Sequence, residues 1–158
     1  MEIVLDKNNN TYKYITHFKS KFDEGKIITN LEPIETLNKP KEALWACRTD
    51  KDYWIRWYID TFNKCPYIDK KIFELKDGSR IFTIDNMEDV LYLAKCKYFI
   101  EDEENLYPYL DFPNLPFDAI EYNNACIGHL FRNKYEIAFD AWDIECLLVL
   151  NPNIILWN

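Results

Sequence analysis

The stretch DIECLLVLNPNIILW, running from Asp143 to Trp157, decides the fold class. Ile144–Leu150 is a run of bulky apolar residues interrupted only by Glu145, which reads as a strand with at least one buried face. Asn151-Pro152-Asn153 supplies a turn, because proline presets φ and asparagine side chains bond their own backbone. Ile154–Trp157 then resumes as a second strand. Both apolar runs fall far short of the ~20 residues that a membrane-spanning helix requires, so no membrane partner is expected.

Working outward, Phe117–Tyr122 (FDAIEY) reads as another strand, and Leu130–Ala141 shows mixed helical spacing. Leu106–Pro116 is a proline-rich loop, and Glu101–Glu104 (EDEE) an acidic surface run. Lys71–Leu75 alternates and Arg80–Ile84 is β-prone, with Asp77-Gly78 between them as a hairpin signal. Asp85 or Asn86 caps a helix through about Lys95, with Met87, Val90, Leu91 and Ala94 on one face. An aromatic helix over Tyr53–Phe62, capped by Thr49 or Asp50, is stopped at Cys65-Pro66. Ala43–Cys47 and Thr11–Phe18 read as strands, and Leu31–Pro40, with two prolines, as a connection. Strands outnumber helices without alternating regularly with them. The expectation is therefore α+β, largely antiparallel, with two or three helices in a single domain over 1–158.

Composition excludes several chemistries. The 158 residues carry a formal net charge of −8, a poor starting point for binding a phosphate backbone. Five Trp, eleven Tyr and ten Phe supply ample area for a core. The three glycines, Gly25, Gly78 and Gly128, are far apart, which rules out the clustered-glycine loops that cradle nucleotide phosphates. Two histidines, His17 and His129, cannot build a three-histidine metal site, and His129 receives no role. Cys47, Cys65, Cys96, Cys126 and Cys146 form no closely spaced pair, so no zinc ribbon or other metal site is expected. No local signature supports a Cys–His–Asp protease. The N-terminal MEIVLDKNNN lacks a basic segment followed by an apolar block, so the expected location is cytoplasmic, with reduced thiols.

Two acidic residues attract attention. Asp143 and Glu145, two apart at a strand entry, are expected to project from one face, where one can stabilise a cationic transition state and the other accept a proton. The same spacing serves a turn residue and a solvated edge position.

The segment Asp143–Ile154 resembles the ADP-ribosyltransferase-like superfamily, particularly its compact bacterial and phage-borne members. There an acidic x-E pair heads an apolar strand that ends in an Asn-Pro turn and a further Ile. Phe117-Asp118-Ala119-Ile120-Glu121 resembles the strand that precedes it. Tyr14-Ile15-Thr16-His17-Phe18 resembles the first core strand with its histidine, and Lys39–Cys47 followed by Tyr53–Phe62 the second core element. Three positions depart from the pattern: Ala46-Cys47-Arg48 replaces a hydroxyl-rich stretch, Phe18 follows the histidine, and Asp143 stands where Glu or Gln is usual.

The resemblance implies a split, largely antiparallel sheet and NAD as substrate, without a metal. It also implies roles. His17 would hydrogen-bond the adenosine ribose. Trp45, or Tyr53 from the next helix, would stack on nicotinamide, and Arg48 could pair with the pyrophosphate. Glu145 would hold the nicotinamide ribose and stabilise the oxocarbenium-like transition state, while Asp143 orients or deprotonates the acceptor. The expected activity is transfer of ADP-ribose to a macromolecular target, more readily protein than nucleic acid. Hydrolysis of NAD would use the same pocket. The alternative is a catalytically inactive acidic protein of the same fold that binds or inhibits a basic partner stoichiometrically.

Overall fold

The computed structural model describes residues 2–4, 12–123 and 133–158, so Thr11, Cys126, Gly128, His129 and the start of the Leu130–Ala141 segment lie outside it. The fold is α+β, with three described helices and a mostly antiparallel, curled main sheet. The main-sheet strands are β1 (Glu2–Val4), β2 (Tyr14–Phe18), β5 (Leu44–Arg48), β6 (Asp69–Leu75), β7 (Arg80–Ile84), β10 (Ala119–Tyr122), β11 (Cys146–Val149) and β12 (Ile155–Trp157). Their spatial order is β1-β7-β10-β11-β5-β2-β6-β12. Among the described residues, only the β7–β10 pair of this sheet is parallel.

Alternation along β11 explains its central place. Leu148 packs with Phe82, Val90, Leu93, Ile120, Phe139 and Trp142 on one face of the sheet. Leu147 and Val149 pack with Tyr14, Leu44, Phe73, Ile81 and Ile155 on the other. A strand buried on both faces has to be apolar throughout, which is what the LLV run provides. The following turn is tied down by Asp118. Its carbonyl accepts from the Leu150 and Asn151 amides at 2.9 and 3.0 Å, and its carboxylate accepts from Asn151 Nδ2 and the Arg80 amide.

Helix α1 (Trp54–Phe62) stops at Asn63, whose φ of 54° takes the left-handed conformation that asparagine tolerates. Helix α2 (Met87–Lys95) starts at Asn86, whose side chain accepts from the Asp89 amide at 3.1 Å, and buries Val90 and Leu93. Helix α3 (Lys134–Ile137) opens with a reciprocal Asn133–Glu136 capping box.

Four sequence expectations need correction. First, Lys71–Leu75 and Arg80–Ile84 do not form a hairpin: β6 pairs with β2 and β12, and β7 with β1 and β10. The turn at Gly78, with φ of 81°, carries the chain from one end of the curled sheet toward the other. A tight turn brings strand ends together, but both edges of each strand are already taken. Second, Leu31–Pro40 is not a bare connection. It carries all but the first residue of β3 (Asn30–Ile34) and the start of β4 (Lys39–Glu42), the two strands of a hairpin in which Pro33 sits opposite Pro40. A two-stranded ribbon consists of edges only, so a missing N–H is tolerated. Third, the Leu106–Pro116 loop contains β9 (Tyr109–Leu110), which pairs with β8 (Phe99–Ile100). Fourth, neither Thr49 nor Asp50 caps α1, because Thr49–Lys51 forms a separate short 3-10 turn and Tyr53 takes the cap position.

The main sheet forks. Strands β2 and β5 pair at Tyr14–Arg48 and Ile15–Cys47 and then separate. Beyond that point Thr16–Phe18 pair only with β6, while Leu44–Ala46 pair only with β11. One bond spans the fork, from Thr16 Oγ1 to the Trp45 carbonyl at 2.9 Å. Thr16→Val keeps the shape and removes that donor. It should lower stability by about 1 kcal/mol, read as a lower urea midpoint at unchanged slope. An unchanged midpoint would show that the bond does not hold the fork.

Candidate functional site

A cavity of about 370 Å³ lies over the fork, its walls formed by residues Ile15 to Phe18 of β2 and the β5 segment from Leu44 to Cys47. The sheet opens here, so one edge of each strand lacks a neighbouring strand. Facing peptide groups other than the Trp45 carbonyl, which Thr16 engages, then lack a ladder partner. Trp54, Tyr67 and Trp142 supply aromatic walls, and Asp143 and Cys146 close the C-terminal side. Lys21, Lys26 and Lys39 also line it, against Asp23 and Asp143 among the acids. In a chain of net charge −8, three lysines gathered on one wall give an anionic group local partners, although Asp23 and Asp143 offset two of the three charges.

His17 stands on one wall. Its Nε2 lies 3.0 Å from each carboxylate oxygen of Asp52, and its side chain is only 8% exposed. Had the β2–β5 ladder continued in register, His17 would have faced Trp45, so the fork is what puts space between them. Trp45 packs edge-on against Trp142 at 5.0 Å, and Lys39 Nζ lies 5.6 Å from its ring centre. Trp142 is in turn fixed by its Nε1–H bond to the Asn38 carbonyl at 2.8 Å. Of the two aromatic residues expected beside a base, Trp45 lines the cavity. Tyr53 does not, being 48% exposed at the head of α1.

Asp143 and Glu145 do not share this cavity, contrary to the expectation of a common face. Strand β11 begins only at Cys146, and a bend at Ile144 interrupts the alternation before it. Asp143 lines the large cavity. Glu145 lines a much smaller recess with Tyr14, Arg48, Lys51 and Glu121, and its Oε2 is 3.2 Å from Lys51 Nζ. Both members of that pair are partly exposed, so it contributes under about 1 kcal/mol and holds Glu145 only loosely.

Arg48 is engaged elsewhere. Its guanidinium holds the buried Glu121 carboxylate, which also accepts from the Tyr14 hydroxyl at 2.6 Å, and it stacks 3.7 Å from the Tyr12 ring centre. Burial disfavours the Arg48 charge, but the bond and charge of Glu121 outweigh that and raise its pKa. Burial first, then the Glu121 charge, raises the Tyr14 phenol far above its usual range.

Sequence reasoning missed Asp52, Glu121 and the three cavity lysines. Glu121 did carry a signal, since a charge flanked by Ile120 and Tyr122 within a strand has to be either at an edge or paired. Asp52 and the lysines carried none, because polar residues in loops look alike until the fold aims them. Among the described residues, no group of three His, Cys, Asp or Glu side chains could hold a metal ion. No described helix is long and apolar enough to cross a membrane. No protein-family model matches the chain, and neither a curated protein nor a solved structure does so.

Two predictions follow from these contacts. Arg48→Met leaves Glu121 buried without its cation and should cost about 3–5 kcal/mol, whereas adding Glu121→Leu should recover much of that loss. Equal losses in the single and double variants would mean that the ion pair is not the source. The Cys47 thiol, pushed up to about 11 by burial and then by the Asp52 charge, stays protonated at pH 8. Iodoacetamide at pH 8 should therefore label the exposed Cys65 well before Cys47. The native state holds this proton more tightly than the unfolded chain. That contribution is intact below the ordinary thiol range and is lost as pH rises toward about 11.

Proposed function

We propose that the chain is an ADP-ribosyltransferase-like protein whose cleft takes up NAD and passes ADP-ribose to a macromolecular target. The observation that carries this reading is the forked sheet, which sets His17, Trp45 and Asp143 on the walls of one cavity. Those three residues were singled out by their place in the sequence, and the space between His17 and Trp45 opens because β2 leaves β5. The lysine-lined walls suit a pyrophosphate, with Lys21 and Lys26 taking the part for which Arg48 is not free.

The reaction breaks the bond between nicotinamide nitrogen and ribose carbon. Its electron pair leaves with nicotinamide, and positive charge develops on the ribose. A carboxylate beside that ribose stabilises the charge. The acceptor then forms a bond to the same carbon and gives up a proton to a carboxylate. Asp143 is the cavity-wall carboxylate that the sequence resemblance singles out, Asp23 being the other acid on the wall. Glu145 joins it on this reading by leaving Lys51, a pair weak enough to open on binding. Water in place of the acceptor gives NAD hydrolysis in the same cavity.

A second reading rests on a different observation. Glu145 lies outside the cavity, and Asp102, Glu103 and Glu104 form an exposed acidic run. These suit an inactive acidic protein that occupies a basic partner.

One experiment separates the two. NAD should raise the melting temperature, and the protein should release nicotinamide, more so with lysate if a target is present. Asp143→Asn or Glu145→Gln should cut that release by about 100-fold without changing the fold. Release that is unaffected by both substitutions would overturn the catalytic roles. Absence of both NAD stabilisation and release, with salt-sensitive stoichiometric binding to a basic protein, would establish the second reading.

A further inference from the structure

We infer that Asp52 is a positioning residue that fixes the His17 ring so that the cavity presents a hydrogen-bond acceptor, and so selects a ligand bearing a hydroxyl donor there. The inference rests on reading the cleft as a ligand site and extends it to a residue that no motif identified.

A carboxylate only accepts hydrogen bonds. The ring nitrogen that meets it therefore carries the hydrogen. Both Asp52 oxygens lie 3.0 Å from Nε2, so in the neutral ring the proton sits on Nε2 and Nδ1 is left with a lone pair. No described residue hydrogen-bonds Nδ1, and His17 itself lines the cavity. The side chain is too confined to turn freely, with 8% of its surface exposed and the Tyr67 ring 6.1 Å away. The Cys47 thiol, also on the cavity wall, stays protonated at neutral pH and adds no charge.

Asp52 reaches this position through chain geometry. It follows the Thr49–Lys51 turn and directly precedes Tyr53 at the head of α1, so the link between β5 and α1 brings it to β2. A ribose hydroxyl can donate to the bare Nδ1. A carbonyl or phosphate oxygen cannot, since neither carries a hydrogen. Asp52 thus acts on the ligand only through His17, by setting which kind of group the imidazole can meet.

The test uses the full chain and the isosteric variant Asp52→Asn. An amide can turn and donate, so it releases the tautomer while preserving the shape, as it does in hydrolases whose histidine is held by an aspartate. Imidazole nitrogen–proton correlation spectra should show only Nε2–H for His17 in the native protein. A substantial Nδ1–H population should appear in the variant, at nearly unchanged melting temperature. Calorimetric titration should show NAD binding about tenfold more tightly than its 2′- or 3′-deoxyadenosine analogue, and less than about twofold more tightly in the variant. Nδ1–H in the native protein would overturn the inference, as would discrimination that survives in Asp52→Asn. The expected spectra with no binding of NAD or its analogues would instead overturn the NAD reading and the proposed selection, leaving the Asp52 effect on His17 in place.

Discussion

A buried ion pair sits at the point where the sheet forks. Glu121 on β10 has a side chain only 6% exposed, and it is held by Arg48 of β5 and the Tyr14 hydroxyl of β2. Tyr14 and Arg48 are also directly paired on β2 and β5, one rung before the final Ile15–Cys47 pair at which the strands part. Three strands that are not all neighbours are thereby fixed in register by one carboxylate. A mispaired sheet would leave that charge buried and unmatched, a penalty of several kcal/mol. The geometry of the cavity follows from this anchor. One rung further on, the ladder ends and the space opens.

The two faces of the sheet therefore carry different work. Toward one face, Arg48, Glu121 and Tyr14 make a closed, mutually satisfied cluster with little room beside it. Toward the cavity stand His17, Trp45, Asp143 and the lysines, which line open space. A charge that is fully matched by protein neighbours stabilises the fold, and a charge facing open space is available to a ligand. Arg48 belongs to the first group, although its sequence context suited the second.

The sequence motifs near Asp118 and Asn151-Pro152 have a structural basis as well. The Asp118 carboxylate and carbonyl tie the start of β7, the start of β10 and the turn after β11 together. Those residues thus read as a motif because they are one hydrogen-bonded unit, quite apart from any chemistry near them. A resemblance that runs through them speaks to how the sheet is joined. The residues facing the cavity speak to what it binds.

Local patterns in the sequence determined the elements whose neighbours are chemically interchangeable. The apolar run of β11, the start of α2 at Asp85 or Asn86 and the turn at Gly78 each depend on residues within a few positions, so they were legible without the fold. The α+β class was legible for the same reason. Tertiary structure alone decided which strands pair, since Gly78 makes a turn whether or not β6 and β7 become neighbours. It also decided which acidic residue meets the cavity, because a single bend at Ile144 undoes the alternation that spacing implies. Asp52 became visible only there. A carboxylate in a polar loop has no distinguishing mark until another segment, 35 residues away in sequence, brings an imidazole to it.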